Sequence, residues 1–388
     1  MPIYNSIAES HEIMTRWRHE LHQHPEICYE EVWTSDFIAS QLEALGIEVH
    51  RGLGKTGVVG VLKGQTDDGR AIGLRADMDG LPMVEANDID HKSLTEGRMH
   101  ACGHDGHMTM LLGAAKYLSE TRNFNGTVYF IFQPAEEGGA GAKAMMEEGL
   151  FSRFKVDTVW GMHNWPGLEA GKIAIHDNAC MASADHFEIT IKGRGGHAAM
   201  PHQAQDPIIT GAAMVQSLQT IVARHTDPLD AAVVSITAMQ GGEAFNVIPD
   251  ELTLRGTARA LQPETRARVE DNIRQVIKNV AAAHGCTAEL SWRAGYPPTV
   301  NHKDEAGRAA AIAGEIVGAD NIMLNPPASM GAEDFAYMLE EQKGAYIWIG
   351  AGKAEAGKML HNTGYDFNDE ILPLGASYWA RLVESELG

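Results

Sequence analysis

The segment MHACGHDGHMTM, residues 99–110, crowds His100, Cys102, His104, Asp105 and His107 into one short stretch. Thiolate, imidazole and carboxylate together form a suitable donor set for zinc or a neighbouring divalent transition ion. Cys102 and His104 are two apart, so an extended loop aims both side chains the same way, whereas a helix makes them diverge. Taken alone, such a cluster also fits an ordinary surface loop. A structural zinc finger is disfavoured, because no second Cys/His pair lies at finger spacing.

Other residues of the same chemistry follow apolar runs. Asp77 and Asp79 follow AIGLRA (71–76), and Glu136 and Glu137 follow VYFIF (128–132). His163 follows VDTVWGM (156–162), and His361 comes shortly after AYIWIG (345–350). These runs, with VVGVL (58–62), are nearly continuous in apolar residues, as in strands covered on both faces of an α/β sheet. In open α/β sheets ligands gather beyond the carboxyl ends of the strands. Separate strands thus deliver metal-type side chains to one end of one sheet, in numbers that exceed one tetrahedral ion and favour two. Singly, His163 reads as a polar residue at a strand end and the paired glutamates as a solvated helix start. Their coincidence favours a site.

The elements that must position these residues fall into two patterns. HMTMLLGAAKYLSE (107–120) is helical, starting near His107, with Met110, Leu111, Ala114 and Leu118 on one face. Near residue 184 the character changes, because FEITIKG (187–193) alternates apolar and polar residues like a strand wet on one side. A helix at 207–223, strands at 232–239 and 251–260, a helix at 264–284 carrying Val269, Ile273, Ile277 and Val280, and the strand TAELSW (287–292) follow. That order is the split βαβ arrangement of a ferredoxin-like sandwich. Beyond residue 300 the α/β pattern returns, with helices at 304–318 and near 370–386 around AYIWIG. The expected architecture is therefore an α/β catalytic domain with a mixed central sheet, built from residues 1–183 and 296–388. An inserted α+β domain, 184–295, interrupts it.

Bulk properties restrict the partners. A chain of 388 residues exceeds one ordinary core. With 44% hydrophobic and 21% charged residues its composition is that of a globular protein. A formal charge of −21 repels phosphate backbones and anionic lipid, which argues against nucleic-acid and membrane partners. Cys28, Cys102, Cys180 and Cys286 match no disulfide framework, and the N-terminus holds no apolar signal core. No apolar run approaches the ~20 residues of a membrane span. A cytoplasmic location is expected.

Eight motifs, in order and spacing, carry a resemblance over nearly the whole chain: RADMDGLP (75–82), HACGHDGHM (100–108), FQPAEEGGAGA (132–142), GMHNWP (161–166), GRGGHAAMPH (193–202), FNVIPD (245–250), GAEDFA (331–336) and LHNTGYDF (360–367). The sequence resembles the dinuclear metal amidohydrolases and carboxypeptidases that include aminoacylase, hippurate hydrolase and the plant indole-acetyl-amino-acid hydrolases. The resemblance implies that Cys102, His104, Glu137, His163 and His361 ligate two divalent transition ions, with Cys102 between them. Much of the wider family has aspartate there, and CGHDGH resembles the hippurate hydrolase branch. A bridging thiolate suits zinc first, with manganese, cobalt or nickel as alternatives, and makes magnesium or calcium implausible.

By the same resemblance Glu136 is the general base and acid, free to serve because neighbouring residues beyond a strand point apart. Asp79 orients a ligating imidazole or that base. His197 faces the tetrahedral oxygen, although by itself it reads as a turn histidine. Asn246 and Arg259 hold the substrate carboxylate, although periodicity alone makes Arg259 a surface strand residue. The acyl group is expected against side chains such as Met181 or Phe245. The implied reaction is hydrolysis of the amide of N-acyl-amino acids, hippurate-like or N-acetylated. A dipeptidase or carboxypeptidase, and a non-catalytic metal- or ligand-binding protein on the same fold, are the alternatives. The family further implies a homodimer through the inserted domain, with His197 or Asn246 acting across it.

Overall fold

The computed structural model describes residues 3–388. They form two compact units: one contains the chain up to Asn178 with Val300–Pro327 and Asp334–Gly388, the other Ala179–Thr299 with Ala328–Glu333. The change of strand character at residue 184 thus lies a few residues inside the second unit. The return of Ala328–Glu333 to that unit has no counterpart in the periodicity.

In the first unit an eight-stranded sheet runs Glu48–Leu53, Gly57–Lys63, Thr127–Gln133, Ala71–Asp77, Thr158–Pro166, Gly344–Gly352, Ile173–Ile175 and Ile322–Leu324. The middle four are mutually parallel, and antiparallel strands flank them, so the sheet is mixed as expected. Every residue of Ala71–Asp77 is buried, which is why its sequence shows no alternation. Asp77 stands opposite Gln133, and Arg75 opposite both Ile131 and Gly161. That register brings the carboxyl ends of neighbouring strands level with one another.

The helix His104–Thr121 begins three positions earlier than its apolar pattern suggests. It is also buried around most of its circumference, Met108, Leu112 and Ala115 as completely as Met110, Leu111 and Ala114. A helix enclosed on all sides loses the one-sided stripe that periodicity detects. Three helices, Asn5–Glu9, His11–Gln23 and Val32–Ala44, precede the first strand, and the buried stripe of the second, Met14, Trp17, Arg18, Leu21 and His22, includes two polar residues.

The second unit is the ferredoxin-like sandwich. Its antiparallel sheet runs Ala232–Gln240, Glu251–Ala260, Asp185–Lys192, Thr287–Arg293, the order expected of a split βαβ pair. Helices Pro207–His225 and Pro263–Ala283 cover one face, packing Met214, Leu218, Val269, Ile273 and Ile277 on Ile189, Ile191, Leu252 and Leu254. The first of these helices has Asp206 as its cap, accepting from the amides of Ile208 at 2.8 Å and Ile209 at 3.3 Å, with proline in the first turn. Side chains of the other face, such as His186 and Arg255, are exposed. Among the described residues no helix is long and apolar enough to cross a membrane.

Candidate metal centre

Gly103 creates the centre's first bend. Its φ of 92° is left-handed, and a side chain there would meet the Asn164 amide oxygen at 2.3 Å and the Tyr365 hydroxyl at 2.6 Å. The chain therefore turns between Cys102 and His104, and their side chains converge through this kink rather than along an extended loop. His104 is the first residue of the helix. Its Nδ1–H donates to the Asp79 carbonyl at 2.8 Å, which leaves Nε2 buried with no hydrogen-bond partner. His163 is fixed likewise, donating from Nδ1 to the Asn164 carbonyl at 2.7 Å and setting Nε2 3.4 Å from the Cys102 sulfur. A ligating imidazole is commonly held this way, one nitrogen tied to the protein and the other presented.

The FQPAEEGGAGA segment supplies the opposite wall. Ala135 and Ala140 both lie at φ 55°, a conformation that costs about 1–2 kcal/mol per non-glycine residue. Buried Glu31 helps hold the bend by accepting from the Ala135 amide at 2.8 Å and the Thr56 hydroxyl at 2.6 Å. A side chain on Gly141 would meet the Pro134 carbonyl at 1.7 Å, so glycine is required there. Asp79 binds the backbone of both glutamates, one carboxylate oxygen accepting from the Glu136 amide at 3.0 Å and the other from the Glu137 amide at 2.9 Å. It also lies 3.4 Å from His104 Nδ1. One carboxylate thus positions a candidate ligand and the candidate base together.

His361, at φ 60°, donates its backbone amide to the Ala101 carbonyl at 2.8 Å, tying the late chain to the Cys102 loop. Its Nε2 lies 3.1 Å from Glu137 Oε1. Two triads of donor atoms follow, Cys102–His104–His163 and Cys102–Glu137–His361, each with all atoms within 4.8 Å of one another. Cys102 is the member they share. Glu136 is buried and forms a further group with His104 and Glu137 on the same criterion.

Electrostatics agree with a cation-seeking site. Burial first, then Glu137, Glu136 and Asp77, push the Cys102 thiol far up from its usual range. Burial also raises the cost of charging Glu137, but His361 and His104 outweigh it and hold the carboxylate below its ordinary range. Burial disfavours charged His104, yet Asp77, Asp79 and Glu137 overcome this and raise its pKa to about 10. For His163 burial and His107 dominate and keep the imidazole neutral, the form that ligates. An unpartnered buried imidazole nitrogen, a thiol among carboxylates and a neutral second imidazole fit transition-metal ions well.

Around this centre lies a support that the sequence reading did not assign. His107, in the first turn of the helix, contacts Asp77 Oδ1 at 2.6 Å and Asn164 Oδ1 at 2.7 Å, which ties it to a buried carboxylate. Arg75, inside a strand buried throughout, donates to Gln133 and Asp77 at 2.8 Å and to Asp334 at 3.0 Å. The signal was an arginine and an aspartate embedded in an apolar strand, since such charges are buried only when paired. Behind the helix start, His22 binds Asp105 at 2.8 Å and Glu85 at 3.3 Å. Arg18 donates to Asp369 at 2.7 Å and Asp366 at 2.9 Å.

The remaining candidates lie in the second unit. His197 pairs with Val247 in a two-stranded ladder, and the Ala198 amide donates to the Asn246 carbonyl at 3.0 Å, so His197 and Asn246 are neighbours. Both are exposed, and His197 Nδ1 accepts from the Ala199 amide at 3.1 Å. Arg259 is half-buried and donates to the Met330 carbonyl at 2.9 Å. It lies at the far end of Glu251–Ala260, about 26 Å from Glu251 at about 3.3 Å per residue. The Gly193 amide bonds to Asp250 at 2.8 Å and the Gly195 amide to the Asp250 side chain at 2.7 Å, which puts the His197 ladder at the Glu251 end. Met181 is buried and Phe245 fully exposed, so these two expected acyl contacts have opposite surroundings.

Fold and donor set together describe an α/β protein able to hold divalent metal where several strands end. The model of peptidase family M20/M25/M40 matches residues 73–385, and the chain belongs to this family. It is 44% identical over 366 residues to a hippurate hydrolase of Campylobacter jejuni, covering 94% of each chain. It is 39% identical over 375 residues to an N-acetylcysteine deacetylase of Bacillus subtilis, covering 96% of each. A crystal structure of a Bacillus subtilis dinuclear metal binding peptidase of family M20 superposes with a TM-score of 0.86 at 35% identity, over 98% of this chain and 99% of that one.

Proposed function

We propose that this protein is a dinuclear metal-dependent amidohydrolase that cleaves N-acyl-amino acids to a carboxylic acid and a free amino acid. The observation that carries the reading is the pair of donor triads sharing Cys102, with Glu136 held beside them by Asp79. Cys102, His104, Glu137, His163 and His361 would hold the ions, zinc foremost, with manganese, cobalt or nickel as alternatives. Such ions supply Lewis-acid activation of water and of the amide carbonyl.

The chain's own residues do the rest. Glu136 takes a proton from the attacking water and delivers it to the departing amine, a transfer worth about 10²–10⁴-fold. Asp79 keeps that carboxylate aimed by gripping its backbone amide. His197 donates to the oxygen that gains charge, Asn246 helps hold the substrate, and Arg259 grips its carboxylate with two parallel hydrogen bonds. Trp165 offers a flat apolar wall for an aromatic acyl group. It is half-buried, stacked on Trp348 at 3.7 Å, with its ring centroid 6.1 Å from His163.

Arg259 and the His197–Asn246 pair cannot serve one small substrate within one chain, because about 26 Å of strand separates their ends. A homodimer in which His197 and Asn246 reach the partner's substrate removes this conflict. N-benzoylglycine and N-acetyl-amino acids, assayed by amine release with added zinc, cobalt or manganese, test the activity. Turnover by the parent protein, and its loss in Glu136→Gln with metal retained, is the expected result. A parent inert on a broad amide panel would leave a binding role instead.

A further inference from the structure

The uncovered face of the second unit's sheet carries an unbalanced group of cations. His186 stands between Thr257 and Arg293 in the strand register, and Arg259 lies two residues beyond Thr257 on the same face. Directly opposed residues have Cβ atoms about 4.5–5.5 Å apart, and diagonal ones about 7–8 Å, within reach of long side chains. Arg259 and Arg293 therefore stand on the strands either side of the one that carries His186, two like charges that an anion above His186 would bridge.

Nearby carboxylates are already committed. Glu188 accepts from Arg255 at 2.7 Å. Asp185 is buried and accepts from Arg266 at 2.8 Å and 2.6 Å and from the Gly295 amide at 3.0 Å. Among the described residues no carboxylate pairs with Arg259 or Arg293, and the one hydrogen bond of the Arg259 guanidinium goes to the Met330 carbonyl at 2.9 Å. Next to this group the sheet surface sinks into a recess of about 450 Å³ bordered by His186, Glu188, Thr237, Arg255, Ser291 and Arg293. Burial and the guanidiniums of Arg293 and Arg259 lower the His186 pKa, so at neutral pH it offers a hydrogen bond rather than a third charge.

We propose that Arg293 and His186 form a second anion subsite beside Arg259, so that the amino-acid half of the preferred substrate carries an acidic side chain of aspartyl or glutamyl type. With the α-carboxylate on Arg259, that side chain passes His186 and places its own carboxylate on Arg293, at the mouth of the recess. This deepens the N-acyl-amino-acid reading and rests on the anchoring role of Arg259. The acyl half, and any aromatic preference there, is independent of it.

N-benzoylglutamate and N-benzoylglutamine differ only in the side-chain charge. The parent protein should show a kcat/KM ratio of tenfold or more in favour of the glutamate, about what one charge-assisted hydrogen bond supplies. In Arg293→Gln this ratio should collapse toward one. In Arg259→Gln the values for both substrates should fall together, because the α-carboxylate is common to them. A parent ratio near one, or a ratio unchanged in Arg293→Gln, overturns the subsite. If Arg259→Gln nonetheless weakens both substrates, the anchoring role survives that failure. A parent that cleaves neither substrate defeats the amidohydrolase reading itself, and the subsite with it.

Discussion

The two units hold their candidate residues in opposite ways. In the first, all but the partly buried Glu137 and the exposed His361 are buried, and most are tied at a second point: His104 and both glutamates to Asp79, His163 to Asn164, and the His361 backbone to Ala101. In the second, His197 and Asn246 are exposed, and Arg259 has one backbone contact. Donors that must stay put with or without substrate are built into a braced core, where misplacement by an ångström is costly. Groups that wait for substrate, or for another chain, can stay loose.

If this contrast is functional, substitutions in the braced unit should abolish chemistry or destabilise the fold, and those in the other should have smaller effects, on rate at His197 and on binding at Arg259. The largest effect is expected from Glu136→Gln, about 10³-fold in kcat with metal content unchanged. A variant that keeps turnover would remove Glu136 from the proton transfer. His22→Gln should then cost about 3 kcal/mol of folding stability, because it leaves Asp105 and Glu85 buried without their partner. Burial opposes charging His22, but Asp105 and Glu85 outweigh it and raise its pKa to about 9, above the 6.5 of an ordinary histidine. The stabilisation is therefore fully present below pH 6.5 and lost as pH rises through about 9. Denaturant midpoints of parent and variant should differ most near pH 6 and converge above pH 9, and a pH-independent gap would contradict the brace.

His197→Ala should lower kcat by about 10²-fold if it stabilises the tetrahedral oxygen. Mixing it with Glu136→Gln sharpens the point. Were His197 to act across a dimer, random reassociation would restore one intact site per mixed dimer, about a quarter of parental activity. No recovery after verified subunit exchange would place His197 in its own chain's site or outside the reaction. The smallest effect is expected from Arg259→Ala, about tenfold in KM for carboxylate-bearing substrates with kcat little changed. An unchanged KM would refute the anchor.

The same contrast governs what the sequence could reveal. Asp79, Glu136, Glu137 and His163 were legible because apolar strands advertise their own ends, and ligand sites gather there. The ferredoxin-like order was legible because its strands are wet on one face and alternate. The true start of the ligand helix was not, since a left-handed Gly103 leaves no periodic mark. Nor was the Arg18–His22 brace, because both residues sit on the buried stripe of their helix where apolar side chains are expected, and their partners are as distant as Asp369. His197 and Arg259 had plain structural readings at their positions, and Asn246 lies in no periodic pattern. Only the motif resemblance singled them out.

The central claim is that one chain holds two metal ions through a shared Cys102. Elemental analysis of protein stripped with chelator, reloaded with zinc and freed of excess measures this most directly. The account predicts two ions per chain in the parent protein, whereas a chain that takes up no zinc, or a single ion, would contradict it.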